Sequence, residues 1–76
     1  MAKVQNIVGP QVRKLRYQQC TTQAMLAARC EVLGLEMSRA TLSKIDAQIR
    51  CVTDSELQTL ARALNVPLQK LYPPEP

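Results

Sequence analysis

Helix punctuation is the feature that most limits what this chain can become. Four start signals stand along it. In "GPQV", Gly9 suits a cap and Pro10 the first helical position, where a missing N–H costs nothing. In "TTQA", Thr22 is a good N-cap. In "MSRATL", Ser38 caps, and Met37 before it can pack on Leu42 as a hydrophobic staple. "TDSE" at 53–56 is a capping box, in which Thr53 meets the Glu56 N–H and Glu56 reaches back. Stop signals alternate with them. Gly34 supplies a left-handed residue, Asn65 tolerates that conformation, and the final "PPEP" cannot continue a helix. These signals predict helices over about 10–19, from Thr22 to Leu33, over 38–50 and from Thr53 to Leu64. Pro67 starts a short fifth helix, "PLQKLY". No strand pattern or internal repeat is present. The expectation is an all-α, compact five-helix domain over residues 9–72, with a flexible N-terminal segment at 1–8 and a C-terminal tail at 73–76.

The apolar residues repeat at helical spacing within these boundaries. Val12 and Leu15 mark the inner face of the first helix. Leu26, Cys30 and Leu33, with Ala27 alongside, mark the second. Leu42, Ile45 and Ile49 form a stripe on the third, and Leu57, Leu60, Ala61 and Leu64 on the fourth. With 76 residues the chain is one domain with a small core, and pairing with a second copy is a natural expectation.

Composition removes several classes of function. There is no histidine, and three cysteines make an odd count at spacings that match no metal motif. Cys/His zinc fingers and Cys–His or Ser–His catalysis are therefore excluded, and no metal or cofactor is expected. Cys30 reads as a core residue, and Cys20 and Cys51 lie near turns. Free thiols favour a reducing, cytoplasmic setting. No stretch is long or apolar enough to span a membrane, and the first residues lack the apolar core of a secretory signal. Two tyrosines are the only aromatics, which serves stacking on single-stranded bases poorly. The net charge of +4 is unevenly spread: Lys3, Arg13, Lys14, Arg16 and Arg29 all precede the first acid, Glu31. That leans toward an anionic partner, although charge alone is equally well explained by solubility.

The stretch "SRATLSKIDAQIR" carries the chemistry. Opposite its apolar stripe lie Ala40, Ser43, Lys44 and Ala47, flanked by Arg39 and Thr41. That face is small, polar and basic, with no acid. Two consecutive helices joined by a short Gly-containing turn, the second with such a face, form a helix-turn-helix arrangement. Small residues allow close approach to the major groove. The Arg39 fork matches the two acceptors of guanine, and Lys44 does so less strictly. Ala40 or the Thr41 methyl suits a thymine methyl. The N-termini of the second and third helices, at Thr22–Gln23 and Ser38–Thr41, offer backbone N–H groups to phosphates. The plainer readings are that Arg39 and Lys44 are surface charges and Thr22 only a cap.

The chain resembles the Cro/cI-type (XRE, lambda-repressor-like) helix-turn-helix regulators over about residues 9 to 72. "VRKLR" resembles the family's first helix and "TQAMLAA" its "TQ-x-x-LA" start of helix 2. "SRATLSKID" resembles the recognition helix, and "ELQTLARALNVPLQKLY" the closing segment. The resemblance implies that Gln23 touches a phosphate and braces the recognition helix. It places Arg39, Ala40, Ser43 and Lys44 in the groove and matches Arg16 and Asp46 to an ion pair. Asp46, beside the apolar stripe, is expected to be half-buried and to need a partner. Three departures stand out. "CEVLGLEM" makes helix 2 and its turn about five residues longer than the usual pattern. Cys20 stands where the family prefers Gly. Gln48 stands where Gly often follows the recognition helix.

The expected function is sequence-specific binding of double-stranded DNA by a transcriptional regulator, a repressor acting as a homodimer on an inverted-repeat operator. Two rivals stand beside it: a DNA-binding antitoxin or restriction-system controller, and a protein-interaction module that does not bind DNA. No acid–base or nucleophile constellation supports an enzyme.

Overall fold

The structure, a computed structural model, describes residues 4–74. It contains helices α1 (Gly9–Gln18), α2 (Gln23–Val32), α3 (Arg39–Asp46) and α4 (Asp54–Ala63), followed by one 3-10 turn at Leu68–Leu71. The described residues therefore hold four α-helices, and the expected fifth is a single tight turn. Its brevity has a local cause. Pro67 enters in extended conformation, and Pro73 and Pro74 follow at once, so only a few residues lie between two prolines.

Three of the four start signals work as their chemistry requires. The Thr22 hydroxyl accepts from the Met25 N–H at 3.1 Å, and the Ser38 hydroxyl accepts from the Thr41 N–H at 3.1 Å. At α4 both arms of the capping box form: Glu56 N–H to Thr53 Oγ1 at 3.2 Å and Thr53 N–H to Glu56 Oε1 at 2.9 Å. The first helix starts one residue earlier than expected, with Val8 in the cap position and Gly9 inside the helix.

The four helices also end alike. After each comes one residue with positive φ: Cys20 (53°), Gly34 (91°), Gln48 (63°) and Asn65 (56°). The next N–H then reaches back to a carbonyl of the last turn, as in Thr21 to Arg16, Leu35 to Cys30, Ile49 to Lys44 and Val66 to Ala61. Gln48 thus stops α3 at Asp46, short of the expected residue 50. Ile49 consequently leaves the apolar stripe and is 62% exposed.

The core joins Val8 and Val12, Leu26 and Cys30, Leu42 and Ile45, and Leu57, Leu60 and Leu64, with Met37 and Leu71 closing its ends. Each large aliphatic side chain removed from water there contributes about 1.5–3 kcal/mol. Helix α2 packs on α3 and α4, α1 packs on α3, and the 3-10 turn packs on α1 and α4. Gly9 permits the close approach of α1 to α3, because a Cβ there would collide with the Ile45 carbonyl oxygen and crowd that of Asp46.

Residues 5–8 carry more contacts than their lack of pattern suggests. Val8 is buried. The Asn6 amide donates to the carbonyls of Arg50 (2.7 Å) and Ile45 (3.2 Å), and its oxygen accepts from the Gly9 N–H at 2.8 Å. The Gln48 side chain donates back to the Asn6 carbonyl at 2.9 Å. These bonds fasten the start of the chain to the end of α3. The remainder of the expected flexible segment, residues 1–3, and the last two residues of the expected tail lie outside the described residues.

Candidate nucleic-acid interface

Helix α3 is divided cleanly. Leu42 and Ile45 are fully buried, while Arg39, Ala40, Ser43 and Lys44 are exposed, as is Ala47 just after the helix. All four residues expected at base edges thus share the outward side of one eight-residue helix. Of the expected backbone contacts, Thr22 and Ser38 are exposed and Gln23 and Thr41 are half-buried. Ser38 and Thr41 are engaged with each other, since the Ser38 hydroxyl donates to the Thr41 hydroxyl at 3.0 Å.

The position of α3 is set by a buried ion pair. Arg16 of α1 donates to Asp46 Oδ2 at 2.6 Å, and their side chains are only 6% and 7% exposed. Asp46 is therefore buried more deeply than its place beside the stripe suggests. Gln23 of α2 donates its amide to the same oxygen at 3.0 Å. One carboxylate oxygen thus ties three helices together. The second Arg16 nitrogen donates to the Thr21 carbonyl at 3.2 Å. Arg16 Nε and Asp46 Oδ1 have no partner within the protein. Burying both charges costs desolvation, which close geometry only partly offsets, so the value of the pair lies in fixing one arrangement of α1, α2 and α3.

Gln23 therefore ties the start of α2 to the end of α3. Its amide nitrogen carries two hydrogens, and Asp46 uses one. The start of α2 borders an open concavity of about 660 Å³, whose walls include Thr22, Gln23 and Ala24, with Arg39 reaching in from α3. The first turn of α2 leaves the Gln23 and Ala24 N–H groups without helical acceptors, and their dipole end is positive. Ala40, Ser43 and Lys44 lie outside this concavity.

The described acids stand off the outward side of α3. Asp46 is consumed by Arg16. Glu56 is held by Arg50 through two bonds at 3.1 and 3.0 Å. These Arg50 bonds, with help from the Thr53 N–H, hold the Glu56 carboxyl below its usual range, although burial opposes the shift. Glu31 and Glu36 lie at the end of α2 and in the turn, and Asp54 opens α4. Among the described residues no acid lies on the exposed side of α3.

Sequence reasoning missed three residues that support this surface. Asn6 gave no sign, because the cap position of α1 is Val8 and Asn6 instead accepts from the Gly9 N–H from further back. Gln48 was marked by the resemblance as the place of a glycine, but its bond to Asn6 depends on a segment 42 positions away. Tyr17 gave no sign either. Its exposed ring lies under the guanidinium groups of Arg13 and Arg16, at 5.5 and 5.4 Å.

A short helix, a six-residue turn and a second helix, held by a buried pin and exposing a basic, acid-free side, define a helix-turn-helix domain. A family model described as helix-turn-helix matches residues 12–71, and the chain belongs to that family, the Cro/cI (XRE) type of DNA-binding regulator. No curated protein and no solved structure matches it. The family is regulatory rather than enzymatic. No helix among the described residues is long and apolar enough to cross a membrane.

Proposed function

We propose that the protein recognises a specific double-stranded DNA sequence and represses transcription by occupying its operator, with α3 in the major groove. The observation that carries this reading is the side of α3 formed by Arg39, Ala40, Ser43 and Lys44, exposed together and free of acids. Arg39 reads a guanine through its fork, and the small Ala40 and Ser43 let the helix approach the base edges. Thr22, Gln23, Ser38 and Thr41 set the register through phosphates, with Gln23 using its remaining amide hydrogen. One such module reads few base pairs, so two copies on an inverted repeat supply the specificity. Leu71 is spent in the core, which leaves Leu68 and Tyr72, 43% and 40% exposed, as the apolar contacts for a partner copy.

The test compares two variants on a preferred duplex, selected from a random pool, and on a scrambled one, at two salt concentrations. Arg39→Ala is expected to cost ~1–3 kcal/mol on the preferred duplex and less on the scrambled one, relaxing the preference at one base pair. Gln23→Ala is expected to weaken both duplexes evenly with little change in salt slope, because the lost group is uncharged. Equal losses for Arg39→Ala on both duplexes would reduce Arg39 to a phosphate contact and defeat its base-reading role. Recovery of an inverted repeat from the pool and a dimer in sedimentation would support the pairing, and a strict monomer on DNA would overturn it.

A further inference from the structure

The surface around the buried ion pair does not end at α2. Tyr17 borders two concavities. One is the space at the start of α2 that also receives Arg39. The other is an open concavity of about 440 Å³ on the outer side of α1, bordered by Pro10, Arg13, Lys14 and Gln48. Arg13 and Lys14 are exposed. Arg13 is held in place, with its Nε donating to the Tyr17 hydroxyl at 3.3 Å and its guanidinium over the ring. That arrangement leaves both terminal nitrogens of the fork free. Asp46 also borders this space, but its charge is matched by Arg16 at 2.6 Å, so Arg13 and Lys14 set the local sign.

The segment after α3 cannot supply such charge itself. Its one cation, Arg50, is bound through both terminal nitrogens to Glu56. Beside Lys44 in the last turn of α3, the further uncompensated positive groups at this end therefore come from α1.

We propose that Arg13 and Lys14 form a second site for a DNA phosphodiester, beyond the recognition helix and continuous past Tyr17 with the α2 start. The proposal rests on the DNA-binding reading and extends it to a helix outside the helix-turn-helix. The backbone gripped at α2 runs on over Tyr17, and α1 holds a further phosphate. These contacts carry no sequence information and act through counterion release.

The experiment measures binding to the preferred and scrambled duplexes over a range of salt for wild type, Arg13→Gln, Lys14→Gln, Arg39→Ala and Arg62→Gln. Arg62 is an exposed cation at the end of α4 and serves as the charge-matched control. Arg13→Gln and Lys14→Gln are each expected to lower the salt slope by about one and to weaken both duplexes by the same factor, roughly five- to tenfold at 0.1 M salt. Arg62→Gln is expected to keep the wild-type slope. Suppose Arg13→Gln and Lys14→Gln both match wild type while Arg39→Ala still weakens the preferred duplex. The α1 site then falls and the DNA-binding reading stands. Loss on the preferred duplex alone would make α1 a base reader and overturn the phosphate assignment. If wild type binds neither duplex, both readings fall.

Discussion

Removing Asp46 tests whether one carboxylate holds the recognition helix in place. In Asp46→Ala the Arg16 guanidinium stays buried, with 6% of its side chain exposed, and loses the 2.6 Å contact that balances its charge. Its Nε is already unpartnered, so only the bond to the Thr21 carbonyl remains. Gln23 loses its acceptor as well. An uncompensated buried charge of this kind costs about 3–5 kcal/mol. A 76-residue domain has about 4–11 kcal/mol in total, at ~0.05–0.15 kcal/mol per residue. The loss is therefore about a quarter of the stability at least. With a urea slope near 1 kcal/mol/M, the midpoint falls by about 3 M or the variant is unfolded at 25 °C. Urea titration followed by circular dichroism reads this directly. The double variant Arg16→Met/Asp46→Leu removes both charges together and is expected to recover most of the loss, which separates the unpaired charge from lost packing. A midpoint within about 0.5 M of wild type for Asp46→Ala would refute the reasoning, because the arginine would then have found water or another partner.

Three further outcomes are expected. Gly9→Ala drives a methyl into the carbonyls of Ile45 and Asp46 and should cost about 1–3 kcal/mol, read as a lowered melting temperature; an unchanged melt would mean α1 can lift from α3 at no cost. Cys20→Gly relieves a left-handed residue (φ 53°), worth about 1–2 kcal/mol, against about 0.5–1 kcal/mol of added chain entropy. The net gain should raise the melting temperature by a few degrees, and a lower melt would show that the thiol contributes packing. Glu56 has its carboxyl pKa depressed in the fold by Arg50. Its contribution is therefore present above the ordinary carboxylate range and is lost as pH falls through that range toward the lower folded value. Melts between neutral pH and pH 3 should fall more steeply for wild type than for Glu56→Gln, and parallel curves would remove Glu56 from the acid dependence.

The sequence by itself determined where helices begin, because a cap is satisfied within three or four residues. Thr22, Ser38 and Thr53 each bond an N–H three positions on, and no distant contact is needed to place them. It also determined which side of α3 faces the core, since Leu42 and Ile45 are fixed by helical period alone. The residues of the candidate interface were legible for the same reason: Arg39, Ala40, Ser43 and Lys44 occupy the side left over. The partnership of Arg16 with Asp46 was legible only through resemblance, because 30 positions separate them.

Tertiary structure decided how helices end when no glycine marks the place. Gly34 and Asn65 announced their turns, whereas Cys20 and Gln48 adopt the same left-handed conformation at places that only the resemblance marked as glycine positions. At Gln48 the side-chain bond to the Asn6 carbonyl helps to fix the turn, and that bond exists only once residues 5–8 lie against the end of α3. The early stop turns Ile49 out of the stripe and leaves an eight-residue recognition helix. The packing of α1 on α3 likewise rests on the absent Cβ of Gly9, which no periodicity reveals. Local hydrogen bonds are encoded by neighbours in the chain, whereas close approach and strained turns depend on which distant backbone arrives beside them.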